Sequence, residues 1–254
     1  MATMKKLLAT VGIGAAQVET ELHQSQVVPG DTMSATVTIK GGDVAQTIEN
    51  VYLHIVGSCR YVDDGRVRYH SITYGKHLLT GEFTIQPGEV QVTETSFQLS
   101  YETPLTIGGN SVYVKTGLDI PVAFDPTDKD AIEVVPGSVV QAMFDAMNAM
   151  GFRLHKADCE IGYRKYGQNY VQEFEFKPLQ EPFRSKLDEV ELICLPSATS
   201  VQVYMQVDRR ARSIGGLLAE AFDVDEAFLK LTVTQQDIPT LRDMLSQTIL
   251  THAR

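Results

Sequence analysis

The chain has 254 residues, with 22 Lys+Arg against 32 Asp+Glu, a net charge of −10 and three cysteines. Hydrophobic residues at 43% and charged residues at 21% are proportions of a globular protein, which excludes a disordered or low-complexity chain. The acidic balance gains nothing from counterion release on nucleic acid and opposes adsorption to an anionic membrane, so neither DNA nor RNA is expected as a partner. No apolar run reaches the roughly 20 residues that span a bilayer.

At the start, Lys5, Lys6, Leu7, Leu8 and Val11 have the spacing of a short helix with one apolar face. Two roles stay open for it: docking on the body of the protein, or a weak membrane-surface contact with the lysines near headgroups. The apolar stretch is short and Gly12 and Gly14 interrupt it, which argues against a secretory signal.

Strand signals follow. Thr32–Lys40 alternates, with Met33, Ala35, Val37 and Ile39 on one face, between the turns Pro29-Gly30-Asp31 and Gly41-Gly42. Further strands are predicted over 51–56, 66–70, 71–74, 81–85, 93–99, 110–115 and 118–124, separated by Asp63-Asp64-Gly65 and Pro87-Gly88-Glu89. Short strands between Gly/Pro turns predict a sandwich or barrel. Near residue 136 the period changes. Val139, Val140, Met143, Phe144, Met147 and Met150 predict a helix, with Ser138 as N-cap, Gln141 completing a capping box and Gly151 as terminator. Strands then resume over 156–163, 170–177, 185–195 and 199–212. A short helix over 214–222, a strand over 228–234 and a last helix through Leu241, Met244, Leu245 and Ile249 complete the chain, Thr240 and Asp243 forming a capping pair. The domains read as 1–136, a linker helix 137–152, and 153–254. The fold class is all-β with a few added helices.

Chemistry is sparse. G-x-S-x-G, H-E-x-x-H and the phosphate-binding G-x-x-x-x-G-K-[ST] are absent, and no two of the six histidines are spaced i,i+4. No catalytic residue, cofactor or metal ligand is therefore assigned, and no enzymatic activity is expected. Asp125-Pro126-Thr127-Asp128-Lys129-Asp130 gathers carboxylates but lacks the glycine and closing glutamate of a calcium loop, so a calcium site and a plain turn stay open. Cys59, Cys159 and Cys194 form no C-x-x-C and are expected as reduced thiols packed like small hydrophobes in a reducing cytoplasm. The basic cluster at Arg209, Arg210 and Arg212 reads as an edge-strand charge cluster or as part of an interdomain polar network. In the second reading Asp208, Arg209 and Arg210 meet Asp125 and Asp128.

Several strings resemble one family over nearly the whole chain and in order. They are the Lys5–Ala16 segment, Val28-Pro29-Gly30-Asp31, Ile39-Lys40-Gly41-Gly42, Phe83-Thr84-Ile85-Gln86-Pro87-Gly88-Glu89, Thr116-Gly117-Leu118-Asp119-Ile120, the Asp125–Asp130 stretch, Gly151-Phe152-Arg153-Leu154, Val171-Gln172-Glu173-Phe174-Glu175-Phe176 and Val207-Asp208-Arg209-Arg210-Ala211-Arg212. The chain is similar in these to the bacterial sporulation-control family of the Spo-zero-M type. That resemblance implies tandem arrestin-like β-sandwiches with short added helices, and a non-enzymatic cytoplasmic regulatory adaptor in sporulation or cell-cycle control. Its partners would be other proteins, captured at sheet edges by β-augmentation. The alternative is a peripheral membrane-associated scaffold using the N-terminal helix. Homo-oligomerisation through a sheet edge or the last helix stays open.

Overall fold

The structure, a computed structural model, describes residues 14–121, 125–161, 169–209 and 229–253. The chain forms two compact units: 1–58 with 71–103 and 111–134, and 59–70 with 104–110 and 135–254. The helix expected as a linker counts with the second unit.

In the first unit, β1 (Gln17–Leu22), β3 (Thr32–Lys40) and β8 (Val90–Gln98) form a three-stranded antiparallel sheet in the order β1-β3-β8. A second sheet runs through β5 (Asn50–Asp63), β9 (Val112–Asp119), β10 (Thr127–Val134) and β2 (Gln26–Val27), with β6 (Arg66–Thr80) on the other side of β5. The short strands β4 (Gln46–Ile48) and β7 (Phe83–Ile85) pair with each other. The alternation predicted for β3 is realised, with Met33, Ala35, Val37 and Ile39 buried. Val37 and Ile39 pack with Ile48, Val51, Ile85 and Leu118, side chains from both sheets and the small pair, in a sandwich-like core.

Strand β10 departs from the sequence reading. A strand was expected over 118–124 and a turn or calcium loop after it. Instead β9 ends at Asp119 and β10 begins at Thr127, with Asp128 opposite Thr116 and Asp130 opposite Val114. Aspartate is a poor strand former by itself, and pairing along β9 overrides that preference.

In the second unit, α1 (Ser138–Ala149) precedes β11 (Phe152–Ile161), β12 (Tyr170–Pro178), β13 (Leu187–Pro196), β14 (Val201–Arg209) and β15 (Leu229–Val233), which form an antiparallel series. A 3-10 turn (Gln235–Thr240) leads into α2 (Leu241–His252). The inner face of the sheet meets α1, where the Phe144 ring lies 4.9 Å from Phe174 and 5.7 Å from Phe176. Val140, Met143 and Met147 of α1 and Leu241, Leu245 and Ile249 of α2 are buried on the same apolar stripes the sequence showed. The methionine stripe is thus core packing.

The caps differ from expectation. Ser138 makes no N-cap bond. Its hydroxyl donates to Gln235 Oε1 at 2.8 Å, and Gln141 donates to Asp145 at 2.9 Å, so a tertiary partner and an i,i+4 partner replace the local box. At the other helix the box forms at the start of the 3-10 segment that precedes α2, between Thr234 and Asp237 instead of Thr240 and Asp243. Gly151 ends α1 as expected, at φ +85°.

The cysteine expectation is corrected. Cys59 and Cys159 form a disulfide with Cα atoms 4.6 Å apart, leaving Cys194 as the free thiol. The two are 100 residues apart in sequence, so no local motif could announce the pair.

Candidate functional site

The outer face of the second unit's sheet is built by period 2. On β12 the residues Gln172, Phe174 and Phe176 point inward, so Glu173, Glu175 and Lys177 point out. On β13 the buried Val190 and Leu192 leave Glu189 and Glu191 outward. Register then sets carboxylates against one another: Glu175 lies opposite Glu191, and Glu189 opposite Asp208. Oxygens of Glu189, Glu191 and Asp208 come within 4.8 Å of one another.

Half-buried carboxylates this close cannot all ionise at ordinary pH. Burial, and then the charges of Glu173, Asp208 and Glu189, push Glu191 up to about 9. Burial and a hydrogen bond shared with Glu175 push Glu189 up to about 7, with Lys177 working against the shift. Lys177 Nζ sits 3.2 Å from Glu175 and 3.9 Å from Glu189. Charge of this density is neutralised by protons or by a hard cation, and the burial of Glu191 favours protons.

On the same unit, Arg60 of β5 meets β11. Its guanidinium donates to Asp158 and lies 3.0 Å from Glu160 Oε1, and Lys156 adds a 2.9 Å contact to Asp158. Arg60 and Glu160 are also register partners, one residue beyond the disulfide on each strand.

In the first unit, β8 ends its sheet with no strand on its outer side among the described residues. Gly41 N donates to Glu89 O, and Leu99 N to Asp31 O. Odd-numbered residues of β8 therefore spend their backbone groups on β3, and Val90, Val92, Glu94, Ser96 and Gln98 turn theirs outward. Val90 and Val92 are 55% and 60% exposed.

Of the residues singled out from the sequence, Asp125 and Asp128 belong to the first unit and Asp208 to the second. Asp125 accepts from Ile120 N at 3.2 Å, and Asp128 accepts from Thr20 N at 2.7 Å. Asp130 stands beside Asp128, and burial, then Asp128, raises its pKa. With Glu19, Thr20 and Ser25 it lines an open recess of about 340 Å³. Asp208 accepts from Gln206 at 3.0 Å and belongs to the carboxylate face. The Arg209 side chain, Arg210, and the segment with Lys5, Lys6, Leu7, Leu8 and Val11 lie outside the described residues. The short helix over 214–222 does too. Sequence reading missed Glu189, Glu191 and Arg60. The alternation of acids along β12 and β13 was visible, but their mutual register was not.

A family model described as Spo0M, SpoOM protein, matches residues 4–211. The sporulation-control protein spo0M of Bacillus subtilis (strain 168) is 38% identical over 248 residues, 96% of this chain and 95% of that one. The crystal structure of Spo0M, sporulation control protein, from Bacillus subtilis matches with a TM-score of 0.87 at 35% identity, over 94% of this chain and 99% of that chain.

Proposed function

The chain belongs to the Spo0M family of sporulation-control proteins, and from that premise we propose that it is a non-enzymatic cytoplasmic adaptor acting through protein–protein contacts. The free edge of β8 carries this reading. A strand with a full row of outward backbone donors and acceptors is a template for an extended segment of another protein, and exposed Val90 and Val92 add apolar contact along it. No helix among the described residues is long and apolar enough to cross a membrane.

The test is Val92→Pro. It removes an outward N–H while leaving the β3 ladder its donors. In a sporulating host lacking its own family member, the wild-type chain is expected to restore sporulation control and to be crosslinked to a defined partner. Val92→Pro is expected to lose both with an unchanged circular dichroism spectrum. Equal crosslinking by the two forms would sink the edge reading, and absence of any partner in every growth phase would sink the adaptor reading.

A further inference from the structure

We propose that Cys59 and Cys159 form a reversible redox lock at the root of the hairpin made by β5 and β6. Cys59 is the first residue that β5 contributes to the second unit, and its sulfur is bonded to the β11 cysteine. Both cysteines are buried, at 0% and 2% exposure. Immediately beyond the bond lie the Arg60–Glu160 register pair and the Arg60 contacts to Asp158 and Glu160. Past that root the hairpin projects through the Asp64-Gly65 turn, both at positive φ, and shows Val62, Val67 and Tyr69 at 62%, 53% and 70% exposure.

The anchors are unequal. The Arg60 ion pairs are largely buried, at 17% exposure for Arg60, 23% for Asp158 and 10% for Glu160, so desolvation offsets much of their attraction. A single register pair adds little. A covalent link closing 100 residues constrains the chain far more strongly than either. Redox state therefore decides how firmly residues 59–70 are held. In a reducing cytoplasm, the compartment of the proposed function, disulfides that form are transient and redox-responsive. There the bond acts as a switch, and it presents or releases the apolar side chains of the hairpin.

The chemistry balances with an external dithiol as reductant. Its thiolate attacks one protein sulfur, the Cys59–Cys159 bond breaks, and a mixed disulfide forms. The second thiol of the reductant then closes its own disulfide. Two electrons pass to the protein, and the two protons of the dithiol end on Cys59 and Cys159. A small-molecule disulfide as oxidant reverses the sequence. Cys194 takes no part, because burial pushes its thiol up to about 12.

The experiment uses the isolated full chain, so its outcome is independent of any partner at β8. Protein is equilibrated in oxidised glutathione or in dithiothreitol, quenched, and alkylated after denaturation. One adduct, at Cys194, is expected from the oxidised sample and an adduct at every cysteine from the reduced one. Hydrogen exchange read by mass spectrometry is expected to be roughly tenfold faster over residues 59–70 in the reduced protein, with β13 little changed. Cys159→Ser should exchange like the reduced protein in both buffers, and Cys194→Ser should keep the wild-type response. Alkylation of Cys59 and Cys159 in the oxidised sample overturns the proposal. So does exchange over 59–70 that ignores redox state, or acceleration spread evenly through the second unit, which marks a general staple instead of a lock.

Discussion

Strand β10 and the pair β12–β13 both carry carboxylates at alternate positions, yet the two sets behave differently. Asp128 on β10 accepts from the Thr20 backbone N–H at 2.7 Å, and its neighbour Asp130 is raised, by burial and then by Asp128. Glu189 and Glu191 on β13 face other carboxylates instead, and rise to about 7 and about 9. The residue types and period are alike. What differs is the neighbour: a backbone donor from β1 reaches Asp128, whereas cross-strand register sets Glu189 against Asp208 and Glu191 against Glu175.

The comparison can be broken by removing its scaffolds. Phe174→Ala deletes the ring that Phe144 packs on beneath the acidic strands, and is expected to cost about 3–5 kcal/mol in chemical denaturation. Asp128→Ala strips the acceptor from Thr20, which is 5% exposed, and should cost about 1–3 kcal/mol. Asp128→Asn keeps an acceptor and should cost less.

Titration sharpens the contrast. Folded-state pKa values of Glu189 and Glu191 lie above the unfolded value of 4.5, so the native state holds more protons between those limits. Their contribution to stability is complete below about pH 4.5 and is lost as pH rises through about 7 and then about 9. Glu191→Gln should flatten that fall. Its Tm should match wild type at pH 5 and exceed it at pH 9.5 by about 3 °C. A wild-type Tm that climbs steadily from pH 6 to 9.5 would contradict the assignment. The smallest effect is expected at the exposed edge: Val92→Thr should stay within about 0.5 kcal/mol of wild type, since that side chain is 60% exposed and Thr keeps its β-branched shape.

Much of the fold was legible in the sequence because burial writes itself into periodicity. The alternation of β3 and the stripe on α1 were read directly, and both are buried as expected. Local signals failed where a distant segment supplied the stronger partner. Ser138 was drawn to Gln235 instead of capping its helix, and β9 drew an aspartate-rich stretch into a strand. The candidate sites were less legible for the same reason. Glu189, Glu191 and Asp208 come from two strands, and Cys59 and Cys159 lie 100 residues apart. The outward backbone of β8 depends on which residues bond to β3, a parity that side-chain pattern does not record.

The second unit draws on residues 59–70, 104–110 and 135–254. During synthesis, Cys59 therefore leaves the ribosome well before the strand it will join. At about 5–20 residues per second, roughly 5–20 s separate the two sulfurs. Through that interval the root of the hairpin lacks its covalent anchor, since Cys59 has no Cys159 to join. Non-local pairing of this kind slows folding.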